Sequence, residues 1–250
     1  VDVLFPRDGA RVVAAQLRPG RKYPEGLQLK LDGQRTELAP FDAELGRGKA
    51  LYTGDVNVQR GRSDVFLSAA DHEVDIEALH FLPRFGEKPL VLPAWDFLEC
   101  LPLKDNGDLR YIRPRTAFGR IWLTHMRYNQ MLHYLFFSNR AGRVRVTLTA
   151  LNDYPGTNRY GVTVNGGRPV LYGFDAADGR PSSQTRCEPQ FGVRKGINLL
   201  AVLPWHPPIE ELDMLHVHRE VLGEKVRIDT EFTRQILALG EIALEWAPDE

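Results

Sequence analysis

Residues 152–158, with the sequence NDYPGTN, combine amide, carboxylate and phenol groups within one short polar segment. Asn152, Asp153 and Asn158 carry planar polar groups that can form paired hydrogen bonds with hydroxyl groups. Tyr154 carries a flat ring that can pack against an apolar face of C–H groups. A sugar presents both kinds of surface, so this combination is suited to hold one. The same residue types also form ordinary turns, so a purely connecting loop is the alternative.

Two further pairs of residues have similar chemistry and lie next to predicted strands. Tyr128-Asn129 precedes an apolar strand and could reach the same edge as the loop at 152–158, because loops at one edge of a rigid sheet often carry binding residues. Trp205-His206 follows another strand, within LPWHPP, whose prolines would hold the indole in place. Packing in the core is the alternative for Trp205. The other tryptophans lie in apolar strand contexts and are predicted to pack in the core or between domains: Trp95, Trp122 and Trp246.

A third set of residues has the spacing of metal ligands. His216, His218 and Glu220 lie at i, i+2 and i+4 in HVHRE, and on a strand they would share one face. Such a pair resembles the metal site of cupins and would indicate a metal-dependent enzyme. The glycine that usually precedes that motif is missing, and the surrounding IEELDMLHVHREVLG reads better as a helix, on which the two histidines point about 200° apart. A solvated helix face is therefore the preferred interpretation, and His125 and His133 are predicted to be structural.

Composition excludes several classes of function. The chain has 250 residues, a formal net charge of −1 and 43% hydrophobic residues, which fits a folded protein with a sizeable core. The balanced charge argues against a dedicated nucleic-acid surface, and no apolar run approaches the roughly 20 residues of a membrane-spanning helix. The sequence lacks a G-x-S-x-G elbow, a P-loop and a G-x-G-x-x-G turn after a strand. Cys100 and Cys187 lack metal-type spacing and are expected to be separate buried thiols rather than a disulfide.

Alternating apolar residues predict strands through the first third of the chain. LQLKLDGQRTEL alternates leucine with polar residues and turns at Asp32-Gly33, which is a strong hairpin signal. Strands at short spacing predict a small sandwich of immunoglobulin type. The segment LPRFGEKPLVLP, with three prolines and a glycine, reads as a linker. We therefore expect an immunoglobulin-like domain over residues 1–85 and a second domain over residues 86–250.

The second part of the chain carries an ordered series of strand motifs. AGRVRVTL occupies residues 141–148, VTVNG residues 162–166, KGINLL residues 195–200 and LGEIAL residues 239–244. This order resembles the galactose-binding-like jelly roll of carbohydrate-binding modules found in or beside glycoside hydrolases, over roughly residues 90–250. In that family the corresponding strands read AG-x-Y-x-V-x-L, V-x-V-N-G, KG-x-N-x-L and L-D-x-I-x-L.

With the strand pattern of the first part, the resemblance implies an all-β chain, with a small immunoglobulin-like sandwich followed by a larger jelly-roll sandwich. One or two short helices are predicted beside the strands, over PPIEELDMLHVHREVLG and DTEFTRQILAL. The resemblance further implies non-catalytic carbohydrate binding, as an accessory region of a larger carbohydrate-active or cell-surface protein. The expected partners are a carbohydrate and the remainder of a longer polypeptide or a catalytic domain, without nucleic acid and without membrane insertion.

Many modules of this family open with an acidic calcium-binding strand. The matching segment here, LPAWDFLEC, keeps only Asp96 and Glu99. Calcium takes six to eight oxygen ligands, so no cofactor is expected, with calcium as the alternative. Because the chain opens on Val1, we expect a fragment of a longer protein. The resemblance implies that this protein is extracellular, periplasmic or on the cell surface. The alternative functions are an enzyme, either metal-dependent and cupin-like or carbohydrate-active, and a structural or assembly β-domain.

Overall fold

The computed structural model shows a chain built mainly of β-strands. The described residues are 2–5, 8–18, 24–42, 50–69, 75–97, 99–101, 113–124, 126–127, 131–152, 158–175, 180–186, 191–205, 234–235 and 238–248. Within these ranges no residue is helical. The same ranges accordingly contain no apolar helix of the length needed to span a membrane.

The first part of the chain forms a single seven-stranded antiparallel sheet. Its strands are β1 (Asp2–Phe5), β2 (Gly9–Leu17), β3 (Leu27–Leu31), β4 (Gln34–Phe41), β5 (Ala50–Val58), β6 (Gly61–Ser68) and β7 (Ile76–Leu82). They lie in the order β1-β6-β3-β4-β5-β2-β7. The hairpin predicted at Asp32-Gly33 is confirmed, because both residues have the positive φ that this two-residue turn requires, 47° and 87°.

These seven strands curl around a common core. Alternation places Leu27, Leu29 and Leu31 of β3 inside, and the residues between them in solvent. Phe5 of β1 and Phe81 of β7 lie on the two edge strands, yet their ring centroids are only 5.0 Å apart. The sheet therefore folds back until its edges approach each other, which covers the apolar face. The immunoglobulin-like character of this part stays a prediction.

The remaining described strands form a sandwich of two sheets and one small strand pair. The strands are β8 (Arg84–Phe85), β9 (Leu90–Pro93), β10 (Glu99–Leu101), β11 (Arg113–Ala117), β12 (Arg120–Thr124), β13 (Met126–Arg127), β14 (Met131–Ser138), β15 (Gly142–Leu151), β16 (Asn158–Val164), β17 (Val170–Phe174), β18 (Pro181–Arg186), β19 (Gly192–Val193), β20 (Gly196–Trp205), β21 (Arg234–Gln235) and β22 (Ala238–Trp246). One sheet has the order β10-β14-β20-β16-β17, and β8 joins β14 in parallel. The other has the order β11-β12-β22-β15-β18, with β9 beside β22 and β19 beside β15, while β13 pairs with β21.

Apolar side chains from both sheets fill the space between them. Val144, Val146 and Leu148 of β15 are fully buried, as the alternation of this strand predicts. They belong to the same cluster as Tyr134 and Phe136 of β14 in the facing sheet. The all-β jelly-roll sandwich expected from the sequence is thus confirmed.

The tryptophans expected to pack in the interior do so. Trp122 is fully buried, and its Nε1 donates a hydrogen bond of 2.8 Å to the carbonyl oxygen of Ala117. Trp95 and Trp246 are partly buried and pack against the main core of the sandwich. All three side chains therefore stabilise the fold.

The helix expected over residues 229–239 is wrong where the structure describes it. Arg234–Gln235 forms β21, and the segment from Ala238 onward forms β22. β22 pairs with β15 along almost its whole length, from Trp246 opposite Val144 to Ala238 opposite Leu151. Burial of one face of this strand outweighs the local preference for helix. The other predicted helix, over residues 207–223, lies outside the described residues.

The segment expected to be a linker is instead built into the sandwich. Arg84–Phe85 pairs with β14, and Leu90–Pro93 pairs with β22. Phe85 is fully buried, with its ring centroid 6.0 Å from that of Phe136 and 4.4 Å from that of Trp246. The reason is that burying the apolar Phe85 ring in the core has a lower free energy than leaving it exposed to solvent. The division at residues 85 and 86 stays a prediction.

An apolar contact joins the N-terminal sheet to the outer face of the sandwich. Val12, Ala14 and Leu51 from the N-terminal sheet form one buried cluster with Phe137 of β14. Phe41 meets Phe137 edge to face, with ring centroids 4.9 Å apart. The N-terminal sheet therefore covers part of β14 from outside.

Two of the motifs that carry the family resemblance contact each other. Asn165 and Gly166 form a turn with φ values of 52° and 75°, and Asn198 is a fully buried residue of KGIN. Asn165 Nδ2 donates to Asn198 Oδ1 at 2.8 Å. Asn198 Nδ2 in turn donates to the carbonyl oxygens of Arg194 and Gly196, at 2.8 and 3.0 Å. Both N–H groups of a buried amide are thus satisfied, which gives these motifs a structural role.

We predict that Asn198→Asp destabilises the protein, and more strongly at pH 7 than at pH 4. The substitution keeps the shape but places a carboxylate oxygen against the carbonyl oxygens of Arg194 and Gly196. Burial beside these oxygens disfavours the charged carboxylate, so the cost grows as the pH rises above about 4, the ordinary pKa of Asp. We expect the unfolding free energy in urea to fall by at least about 2 kcal/mol at pH 7.

The matched control for this change is Asn57→Asp at an exposed position of β5. Its unfolding free energy should change by less than about 0.5 kcal/mol at either pH. Equal losses in the two variants would show that the buried amide has no special role.

Candidate functional site

Several strands of the sandwich begin or end at one end, which we call the loop end. It is the end at which β14 and β16 begin and β15, β17 and β20 end. The register shows this: Asn158 lies opposite Phe174, and Leu132 lies opposite Val202 near the end of β20. Connections leaving these strands therefore emerge together.

All three predicted binding segments are attached to the loop end. Residues 128–130 precede β14, and residues 153–157 connect β15 to β16. Trp205 is the last residue of β20 and lies directly opposite Arg159, the second residue of β16. The structure thus places Arg159 beside Trp205, although the two residues lie 46 positions apart in the chain. This proximity could not be predicted from the sequence.

Asn152 holds the base of the loop formed by residues 153–157. Its side chain is 1% exposed, and its Nδ2 donates to the carbonyl oxygen of Phe174 at 2.8 Å. Its Oδ1 accepts a hydrogen bond of 3.0 Å from Asn158 Nδ2 at the other side of the loop. The two predicted hydroxyl-binding amides therefore fasten both ends of the loop to β17, and the half-buried Asn158 is the more accessible of them.

For the other predicted binding residues, the structure shows only the strands to which their segments are attached. Tyr128, Asn129, Asp153, Tyr154 and His206 lie outside the described residues. For Trp205 the structure describes the backbone position in β20. As ligand contacts, all of the predicted residues stay predictions.

The alternative metal ligands are His216, His218 and Glu220, and these also lie outside the described residues. Among the residues that are described, no group of three histidine, cysteine or acidic side chains is placed to hold a metal ion. Of the two calcium candidates, the backbone N–H of Asp96 bonds the carbonyl oxygen of Pro93, and Glu99 lies in β10.

The described histidines lie in packed surroundings. Nε2 of His133, on β14, lies 3.1 Å from the sulfur of Met131. Burial lowers the pKa of His80 from its usual value, and this residue lies in the N-terminal sheet rather than at the loop end. His125 and Cys187 are outside the described residues, and Cys100 lies in β10.

Sequence reasoning missed one exposed aromatic residue of the sandwich. Phe118 and Gly119 form the two-residue turn between β11 and β12, with φ values of 50° and 71°. The same kind of turn is made elsewhere in this chain by Asp32-Gly33 and by Asn165-Gly166, which carry small polar residues at the first position. Phe118 adopts this left-handed conformation although it is bulky, and its side chain is 60% exposed. In the sequence, the dipeptide Phe118-Gly119 between two strands was the signal that could have indicated this turn.

The outer face of β15 carries polar side chains that bond to one another. Thr147 and Thr149 form hydroxyl–hydroxyl bonds of 2.8 Å with Thr185 and Ser183 of β18. This face is a second polar surface of the sandwich, on which Thr149 itself is buried.

No family model matches this chain, and no curated protein matches it. Solved structures are similar to it. They include a Podospora anserina GH26-CBM35 β-(1,4)-mannanase (15% identity, TM-score 0.44, 66% of this chain and 29% of that one). A family 35 carbohydrate-binding module from Clostridium thermocellum is similar at 10% identity and a TM-score of 0.43, over 64% of this chain and 99% of the module. An Arthrobacter globiformis T6 isomalto-dextranase complexed with panose is similar at 11% identity and a TM-score of 0.44, over 97% of this chain and 36% of the dextranase.

These similarities are too weak to assign a function to this chain. All three TM-scores are below 0.5, so they do not establish a shared function. This chain spans less than two-thirds of the mannanase and of the dextranase.

We predict that Asn152→Ala lowers the unfolding free energy by about 1–3 kcal/mol, because it leaves the carbonyl oxygen of Phe174 without its buried donor. Asn158→Ala removes only the bond to Asn152 from a half-buried position, so it should cost less than about 1 kcal/mol. Urea denaturation of both variants checks the order. A larger loss for Asn158→Ala than for Asn152→Ala would contradict the role given to the buried amide.

Proposed function

We propose that this chain binds carbohydrate through the loop end of its sandwich, without catalysing a reaction. One observation carries the proposal: Arg159 lies opposite Trp205, and Asn158 bonds to Asn152. An indole-bearing segment and a segment with phenol, amide and carboxylate groups therefore leave neighbouring strands side by side. Those are the groups that a sugar ring with its hydroxyls requires.

The scaffold beneath the loop end supports selective binding. The core side chains of β15 and of the facing strands are fully buried, and Asn152 fixes the base of the loop. Fixing the ends of a loop lowers the entropy that is lost when it binds a ligand. Asn158, Asp153 and Tyr154 are the proposed contacts on one segment, with Trp205 and His206 on the other. Tyr128-Asn129, attached to the start of β14, is proposed to complete the site.

We also propose the context in which this site works. The chain would be an accessory region of a larger carbohydrate-active or cell-surface protein, extracellular, periplasmic or on the cell surface, with a catalytic domain as partner. The N-terminal part, residues 1–85, would be a separate immunoglobulin-like domain. Its apolar contacts to the sandwich include Leu135, Phe137 and Ile197, on the outer face toward the end opposite the loop end. The apolar contacts with the N-terminal sheet therefore lie away from the strand ends that form the loop end.

We predict that affinity electrophoresis through gels containing a panel of soluble polysaccharides retards the protein in at least one gel. Tyr154→Ala and Trp205→Ala should each weaken that binding about tenfold or more, since each removes an aromatic platform. Phe66→Ala is the matched control, because Phe66 is a 61% exposed aromatic of the N-terminal sheet. It should leave the binding unchanged.

Phe118→Ala decides where the site lies. Binding that survives Phe118→Ala and is lost in the two loop-end variants supports the loop end. Binding that is lost in Phe118→Ala and survives in both loop-end variants would place the site at the β11–β12 turn instead. Absence of binding to every polysaccharide and to a glycan array would overturn the carbohydrate proposal itself.

A further inference from the structure

A cavity lies at the end of the sandwich opposite the loop end, which we call the far end. Its volume is about 320 Å³, and its walls come from the β14–β15 turn and from the segment that follows β22. Arg140, Gly142 and Arg143 form one wall, and Trp246 and Pro248 form the other. A volume of about 300 Å³ or more is in the range of small-molecule binding sites.

The walls of this cavity are held in place before any ligand arrives. Trp246 Nε1 donates a hydrogen bond of 2.8 Å to the carbonyl oxygen of Gly86, and the ring of Phe85 stacks on the indole at 4.4 Å. Gly142 lies so close that a Cβ there would be 2.9 Å from Cζ3 of Trp246. The N–H of Ala247 bonds the carbonyl oxygen of Arg143 at 2.9 Å and extends the pairing past the end of β22. The cavity is therefore a preformed feature.

The lining of the cavity is positively charged. Two arginines line it, Arg140 and Arg143, and within the described part of the chain none of its lining residues is acidic. The guanidinium carbon of Arg140 lies 4.2 Å from the centroid of the Trp246 ring, which holds the group by a cation–π contact. Other arginines of the described part pair with carboxylates: Arg18 with Asp75, Arg84 with Asp55, Arg120 with Glu241 and Arg145 with Glu245. Arg140 has no such partner among the described residues.

A guanidinium that lies over an aromatic face contacts the ring with its own face, which leaves its edge N–H groups available as donors. Those N–H groups form a rigid fork that matches the two oxygens of a carboxylate. The Trp246 ring already contacts both Phe85 and Arg140, so we assign recognition in this cavity to the guanidinium and not to the indole. Recognition in this cavity therefore depends on charge and on the planar fork.

We propose that the far-end cavity binds the carboxylate of an acidic sugar, a uronic acid unit, with Arg140 as the principal contact. The sugar part of this inference rests on the proposed carbohydrate binding, whereas the oxyanion part rests on the cavity alone. The chain would then contact a glycan at two separate places, a neutral unit at the loop end and an acidic unit at the far end.

Titration with two small probes tests this inference directly. Methyl β-glucuronide and methyl β-glucoside differ only in a carboxylate against a hydroxymethyl group, and isothermal calorimetry with tryptophan fluorescence measures their binding. We expect saturable binding of the glucuronide and at least about tenfold weaker binding of the glucoside, because a hydrogen bond to a charged group is lost. Arg140→Met should weaken glucuronide binding by about tenfold or more.

Arg120→Met is the matched control, because Arg120 also lies over a tryptophan, at 5.8 Å from the Trp122 ring, but is paired with Glu241 at 2.9 Å. It should leave glucuronide binding within about twofold of the original. Arg140→Lys keeps the charge without the planar fork and should bind at an intermediate strength, which provides a second variant if Arg140→Met folds poorly.

Several outcomes would overturn the inference. These are equal binding of the two probes, glucuronide binding unchanged by both Arg140 variants, and inorganic sulfate competing as strongly as the glucuronide, which would indicate charge recognition alone. Glucuronide binding lost in Tyr154→Ala but kept in Arg140→Met would move the acidic sugar to the loop end, overturning this inference while supporting the proposed function. Glucuronide binding that needs Arg140, together with no binding of neutral glycans, would support the far-end site and overturn the proposed binding at the loop end.

Discussion

Antiparallel pairing of β15 with β22, packed against β14 and β20, is the constraint on which the rest of the structure depends. The pairing starts with Val144 opposite Trp246 and ends with Leu151 opposite Ala238. Side chains on the inner face of these strands are fully buried, and a shift of one residue would turn them toward solvent. The register therefore fixes Trp246 at the far end and Asn152 at the loop end in one step.

The two ends of the sandwich are built differently. At the far end, Asn165 and Asn198 bond each other beside a tight turn, and the N-terminal sheet packs on the outer face around Phe137. At the loop end, the buried amide of Asn152 bonds to Phe174 and Asn158 at the base of the connection over residues 153–157. Loops carried by a rigid scaffold are a usual arrangement for recognition. The proposed carbohydrate binding follows from this difference.

The parts of the fold that depend on local patterns were predictable from the sequence. The alternation in AGRVRVTL and the turn at Asp32-Gly33 each specify a strand or hairpin without distant contacts. β22 was partly misassigned because its state is decided by pairing with β15, about 100 residues earlier, as between Arg145 and Glu245. The segment predicted to be a linker was misassigned for the same reason, since Phe85 packs against Phe136 and Trp246, which are distant in the sequence.

The candidate site was predictable in its chemistry but not in its geometry. Residue types in NDYPGTN indicate hydrogen bonding to hydroxyls, yet nothing in the sequence shows that Asn152 is buried and bonded to Phe174. The proximity of Trp205 to Arg159 arises from sheet order, which local patterns do not encode. Phe118 was overlooked because its significance lies in a backbone angle.

Amide chemical-shift mapping by two-dimensional NMR, during titration with a polysaccharide fragment that the protein binds, tests the central claim most directly. The account predicts that the amides of Asn152, Asn158, Arg159 and Trp205 shift together and saturate at one affinity. Shifts confined to the outer face, at Thr147, Thr149 and the Phe118 turn, with the loop-end amides unchanged, would contradict it.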